Sequence, residues 1–185
     1  LLPADNGVDK IIQDLKPHLS ENDLIVDCGN SHYLETNRRI KELEKIKIRF
    51  LRIGISGGEL GARFGPCMMA GGSKDAYDDI AEMLTMISAF VKDAESCVAW
   101  LGPGSAGHYV KMVHNGVEYA LLQAYAHGFH ILKEGTFKDA NLDLAEITRL
   151  WNTSSIIRSF ILDLAYDIFK HDQNFDTISI FHQLK

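Results

Sequence analysis

No stretch of this chain is apolar for long enough to span a bilayer, and no basic cluster interrupts its net charge of −6. The first lack excludes a membrane-spanning helix. The second argues against nucleic acid as the main partner, but leaves an anionic metabolite open, because local groups decide that. Cysteine is scarce. Cys28, Cys67 and Cys97 are odd in number and lack CxxC spacing, and each lies in or beside an apolar, strand-like run. They read as reduced, buried thiols in a cytoplasmic protein. No HxxxH pair or carboxylate cluster is present, and His108 and His114, six apart, fall on different helical faces, so no metal site is expected. Repeats and low-complexity tracts are missing too. What remains is an ordinary folded composition, 46% apolar and 24% charged over 185 residues.

Strand and helix patterns alternate over the first hundred residues. Val8 to Leu19 is helical, with Val8, Ile11, Ile12, Leu15 and Leu19 on one face. Asp23 to Cys28 is a short apolar strand closed by Gly29, and Leu34 to Ile46 is a charged, solvated outer helix. Ile48–Ile55, Pro66–Ala70 and Cys97–Leu101 are further strands, with a helix capped by Ser73 running to about Phe90. This order predicts a parallel or mixed sheet with helices on both faces. After Gly102-Pro103-Gly104 no strand signal remains, and helices are expected at about Ser105–Lys133, Asn141–Asn152, Ser155–Lys170 and Thr177–Leu184. A boundary near Gly104 therefore divides an α/β unit, residues 1–104, from an all-helical unit, residues 105–185. The chain opens like the last residues of a strand, without an initiator Met, and closes inside an amphipathic pattern, so it reads as an excised piece of a longer polypeptide.

Between Ser105 and Leu132 the only charged residues, histidines aside, are Lys111 and Glu118. A helix so poor in charge is expected to be mostly buried. Lys111, His114, Asn115, Glu118 and Tyr119 recur at i, i+3, i+4, i+7 and i+8, hence on one face, while Val110, Val113, Val117, Ala120, Leu121 and Ala124 turn the other way towards an expected core. Lys111 suits a general base if burial or a neighbouring cation lowers its pKa. Glu118 stands about 10 Å further along at 1.5 Å per residue, which suits service at the opposite end of one substrate. The alternative is a buried ion pair with a satisfied histidine. Two strand ends add equipment: Asp27-Cys28-Gly29-Asn30-Ser31 offers a carboxamide to a sugar hydroxyl, and the glycines of Ser56-Gly57-Gly58 let backbone N–H groups approach an anion. Each could equally be an ordinary turn, and Asn30 a helix cap.

Three runs carry a family resemblance. Asp27-x-Gly29-Asn30-Ser31, then Gly54-x-Ser56-Gly57-Gly58-Glu59-x-Gly61-Ala62-Arg63-x-Gly65-Pro66, then Gly107-His108-x-Val110-Lys111-Met112-Val113-His114-Asn115-Gly116-x-Glu118-Tyr119 resemble the decarboxylating 6-phosphogluconate dehydrogenases, in that family's order and over nearly the whole chain. The resemblance implies the C-terminal part of a Rossmann-type dinucleotide-binding domain followed by part of an all-α substrate and dimerisation domain. It also implies oxidation of 6-phosphogluconate at C3 by NADP or NAD, loss of CO₂ from the 3-keto acid, and release of ribulose 5-phosphate. Lys111 would take the 3-hydroxyl proton and later stabilise the enolate oxygen; Glu118 would protonate C1. Asn30, Ser56, Gly57, Gly58, His114 and Asn115 would hold the sugar acid, with Tyr119 towards its phosphate. Leu2, Pro3, Ala4 and Asn30 would line the cofactor, and the full-length protein would be a homodimer.

The departures from the family pattern are omissions. The G-x-G-x-x-G fingerprint lies upstream of Leu1, and the later phosphate-binding Lys and Arg and the C-terminal Arg and His are missing, so coenzyme preference is not legible. The run from Trp151 to Ser159 resembles the family's shorter, often NAD-preferring branch. The 185 residues alone are expected to be inactive. Two other readings stay open: a β-hydroxyacid dehydrogenase that oxidises without decarboxylating, and a helical interaction module.

Overall fold

The structure is a computed structural model that describes residues 6–90 and 95–172. Leu2, Pro3 and Ala4, expected to line a cofactor, and the helix expected at Thr177–Leu184 lie outside the described residues. The chain divides into two compact units, Leu1–Gly116 and Val117–Lys185.

In the first unit, α1 (Asn6–Leu15) and a 3₁₀ turn (Lys16–His18) precede β1 (Leu24–Asp27), α2 (Tyr33–Glu44), β2 (Arg49–Ser56), α3 (Gly58–Phe64), β3 (Cys67–Gly71), α4 (Lys74–Asp78), α5 (Ala81–Ile87) and β4 (Val98–Trp100). The strands form one sheet in the order β1-β2-β3-β4. β1 and β2 run parallel, as do β3 and β4, whereas β2 and β3 are antiparallel, with Gly54 opposite Met69 and Ser56 opposite Cys67. The sheet is thus mixed, and side chains alternate across it. Leu51 and Ile53 of β2 join Met68, Ala70 and Leu84 in one core cluster, while Phe50, on the opposite face, joins Ile12, Leu43 and Ile48 in another.

Several sequence expectations need correction here. The single helix read from Ser73 to Phe90 is two short ones, because the backbone leaves helical geometry at Ile80 (φ −122°, ψ 7°). The break lets Tyr77, Ile80 and Leu84 reach the same cluster. Ser73 stands at the cap position of α4 without a capping bond from its side chain. Helix α2 is not merely solvated: Thr36, Arg39 and Leu43 are buried. Arg39 is matched by Asp9 of α1, its Nε 2.9 Å from Oδ1 and its Nη2 3.0 Å from Oδ2. None of the three cysteines is fully buried: Cys67 and Cys97 are half-buried, and Cys28, whose loop lies beyond the strand, is exposed.

The second unit holds most of helix α6 (Ala106–Glu134) together with α7 (Leu144–Ser154) and α8 (Phe160–His171). Asp143 and Ser159 cap the last two by accepting from the Glu146 and Leu162 N–H groups. Phe129, Leu144, Ala145, Leu162, Ala165 and Phe169 form its core, with the Phe129 and Phe169 rings edge to face at 4.7 Å. All described elements after β4 are helical.

The start of α6 belongs to the first unit and rests directly on the sheet. A Cβ on Gly107 would lie 2.4 Å from the Met69 carbonyl oxygen, and one on Gly71 would lie 2.2 Å from the Gly107 nitrogen. Buried Arg52 of β2 holds the turn that leads into the helix, Nη1 donating to the Gly104 carbonyl at 2.8 Å; burial lowers its pKa to about 10. Because the glycine and polar side of α6 faces the sheet, the apolar side does not reach the core that the sequence suggested. Val113, Val117 and Leu121 are 49%, 56% and 42% exposed, Ala120 and Ala124 are exposed too, and Val110 is half-buried.

Substituting Gly107→Ala puts a methyl where the sheet backbone already is. We expect a loss of roughly 1–3 kcal/mol or more, as for other overpacked sites, read as a lower midpoint in urea unfolding. An unchanged midpoint would show that the helix does not sit this close.

Candidate active site

Four of the expected residues meet at the C-terminal end of β2. Gly54 is the seat: a Cβ there would lie 2.3 Å from Lys111 Cβ and 2.9 Å from its Cγ, so the lysine stem crosses the strand where a side chain would stand. Lys111 is 8% exposed. Its Nζ donates to Asn115 Oδ1 at 2.5 Å and lies 3.3 Å from His114 Nδ1. His114 Nε2 is in turn 3.0 Å from Ser56 Oγ, the last residue of β2. His114 Nδ1 also lies 3.3 Å from Asn115 Oδ1, so the place of the ring proton follows the charge on Lys111: against a protonated amine Nδ1 accepts, and Nε2 donates to the Ser56 hydroxyl. The serine proton is then available to a ligand oxygen.

The Ser56-Gly57-Gly58 run, read as a loop, leads at once into α3, which begins at Gly58. Gly57 has φ 127°, and a Cβ on it would lie 2.8 Å from the Gly61 Cα, so no other residue fits this turn without strain. Glycine density masked the helix in the sequence.

At the end of β1 a second group is organised. The buried Asp27 carboxylate accepts from the Gly29 N–H at 2.9 Å and from Ser31 Oγ at 3.0 Å. With its neighbours tied down, Asn30 is exposed at the strand end, and it caps no helix: α2 is capped instead by His32. Glu118 and Tyr119 lie on α6 seven and eight positions beyond Lys111, Glu118 partly buried and Tyr119 exposed. Among the described residues no group of three or more His, Cys, Asp or Glu is arranged to hold a metal ion, and no helix is long and apolar enough to cross a membrane.

One residue of this region escaped the sequence reading. His108 enters the sequence reading only as a rejected metal ligand and as part of the family motif; it is 2% exposed and its Nδ1 lies 2.8 Å from Thr36 Oγ1. Its spacing, one turn before Lys111, was the available signal.

Comparison with known proteins bears on this geometry. Residues 1–102 match the NAD-binding domain of 6-phosphogluconate dehydrogenase, and residues 107–184 match the C-terminal domain of 6-phosphogluconate dehydrogenase. The chain belongs to the 6-phosphogluconate dehydrogenase family. Its fold is accordingly an NAD-binding, Rossmann-like α/β sheet followed by a helical domain. It is 45% identical over 171 residues to the decarboxylating 6-phosphogluconate dehydrogenase of Synechocystis, covering 91% of this chain and 35% of that protein. The chain therefore spans about a third of the length of such relatives. A Plasmodium falciparum 6-phosphogluconate dehydrogenase, solved apo, with its cofactor NADP⁺ and with its substrate 6-phosphogluconate, superposes with a TM-score of 0.85 at 38% identity, over 96% of this chain and 38% of that one. A Mycobacterium tuberculosis 3-hydroxyisobutyrate dehydrogenase shares the fold at 17% identity, with a TM-score of 0.67 over 84% of this chain and 50% of that one.

Burial holds the His108 pKa below its ordinary value of 6.5, with Arg52 and Arg39 pushing the same way and Asp27 opposing. The folded imidazole refuses a proton that the unfolded one takes up, so stability falls as pH drops through about 6.5. Melting temperatures from pH 7.5 to 5.5 should fall more steeply for the wild type than for His108→Leu; parallel curves would contradict this.

Proposed function

We propose that the full-length protein oxidises and decarboxylates 6-phosphogluconate to ribulose 5-phosphate and CO₂, with NADP or NAD as hydride acceptor. The carrying observation is the buried cluster of Lys111, His114, Asn115 and Ser56 at the end of β2. The division of labour follows the boundary near Gly104: residues 1–104 belong to the dinucleotide domain and residues 105–185 to the substrate domain.

The end of β1 fits a dinucleotide: it is a strand end with a fixed backbone and an outward carboxamide that can both donate and accept. Asn30, and Leu2 to Ala4 before it, would line that ligand, which when bound supplies the acceptor for the C3 hydride. Lys111, neutral once substrate is in place, takes the 3-hydroxyl proton. After CO₂ leaves the β-keto acid, the now protonated Lys111 faces the developing enolate oxygen. Glu118 delivers the proton to C1. Ser56, the Gly57 and Gly58 backbone, His114 and Asn115 hold hydroxyl and carboxylate oxygens, and Tyr119 reaches the phosphate. No metal takes part in this scheme. A cytoplasmic homodimer completes the reading; the exposed apolar side of α6 supports further covering chain.

In the full-length enzyme, Lys111→Met and Glu118→Gln should each lower kcat by roughly 10²–10⁴-fold, the range for loss of one proton-transfer group, with little change in melting temperature. The assay pairs NAD(P)H absorbance with trapped CO₂. Hydride transfer without CO₂ would favour a non-decarboxylating β-hydroxyacid dehydrogenase, and intact turnover with large destabilisation would make the cluster structural.

A further inference from the structure

We propose that His108 is a positioning residue: its imidazole ties the loop after β1 to the lysine helix, and so fixes Lys111 relative to the hydride acceptor. This rests on Lys111 being the proton acceptor, and adds to that reading a residue without contact to substrate.

The ring joins three elements. It belongs to α6 and stands three positions before Lys111, hence on the same side one turn earlier. Nδ1 meets the hydroxyl of Thr36 on α2 at 2.8 Å, and Thr36 is itself fully buried. Thr36 Oγ1 in turn donates to the main-chain carbonyl of His32, which closes the loop after β1, at 3.2 Å. Held neutral, the ring carries one proton. With that proton on Nδ1 the ring donates to Thr36, and Nε2 is sealed from solvent without a hydrogen-bond partner. Further back in the same loop the Asp27 carboxylate fixes the Gly29 N–H and Ser31 Oγ. The chain of bonds therefore runs from the lysine helix through α2 to the loop.

Packing alone gives no reason for an imidazole here. A half-satisfied polar ring in a sealed position destabilises the fold relative to an apolar side chain of similar size. Registration does give a reason. Proton removal from the 3-hydroxyl and hydride departure from C3 act on adjacent atoms, and a misplacement of about 1 Å can cost on the order of 10²-fold. A strut between the two partners' supports is where such accuracy is set.

The test uses the full-length enzyme with His108→Leu, His108→Gln, Thr36→Val and the double variant Thr36→Val/His108→Leu. His108→Leu should lower kcat/KM by about 10–100-fold, with an increased primary isotope effect for substrate deuterated at C3. His108→Gln, whose amide can donate to Thr36, should recover most of the loss. Thr36→Val removes only the hydroxyl, so it keeps the test decisive if His108→Leu folds poorly; it should act in the same direction, and the double variant should be no worse than His108→Leu. Without any ligand, amide exchange at Gly29 should quicken at least tenfold in His108→Leu. Activity within threefold of wild type, Gln no better than Leu, additive losses, or unchanged exchange at Gly29 would each overturn the proposal. A wild-type enzyme unable to oxidise 6-phosphogluconate would instead sink the reading of Lys111.

Discussion

Contact between helix α6 and the sheet, backbone against backbone, is the constraint on which everything else rests. A helix normally stands off a sheet by the thickness of two side-chain layers. Here Gly54, Gly71 and Gly107 remove those layers, and the Lys111 stem lies across the strand itself. The amine is thereby delivered to the end of β2 and linked to Ser56 through the His114 ring. Arg52 secures the approach by gripping the Gly104 carbonyl. Its own burial is tolerated because the guanidinium packs over the Phe50 ring, 4.9 Å from the centroid, as well as bonding that carbonyl.

This close seat also explains why the polar side of α6 turned inward. Patterning places apolar residues in a core when helix and sheet meet through side chains, which is the usual case. Where they meet through glycine, the inner side need only fit the gap and the chemistry. Gly107, His108 and Lys111 satisfy that, and the valines and leucine of the opposite side are left outward. Of the burial expected for the polar side, Lys111 is buried, His114, Asn115 and Glu118 are half-buried and Tyr119 is exposed, while most of the apolar side lies outward.

Much of the architecture was legible in the sequence. Short apolar runs bounded by glycine gave all four described strands to within a few residues, and the lysine helix followed from the i, i+3, i+4, i+7 and i+8 spacing of its polar residues. The convergence of Lys111, His114 and Asn115 was readable from their spacing, whereas the meeting with Ser56 came from the family resemblance. Three things were not readable. α3 hides in a run whose glycines read as loop; Ile80 breaks a helix for the sake of a core contact made elsewhere in the chain; and the role of Thr36 depends on a partner 72 residues away. All three are tertiary decisions, and local pattern carries no record of them.

The antiparallel turn in the sheet has one practical outcome. By reversing β3 against β2, the fold sets Cys67 directly across from Ser56, so a sulfur atom stands beside the candidate site. Burial, and then hydrogen bonding with Cys97, push its thiol up to about 11; burial and the Asp27 carboxylate raise the Cys28 thiol too, although that residue is the more exposed. Brief alkylation should therefore reach Cys28 ahead of Cys67, leaving a protected handle. A spectroscopic reporter attached there afterwards, under more alkaline conditions, would watch occupancy of the site from the neighbouring strand.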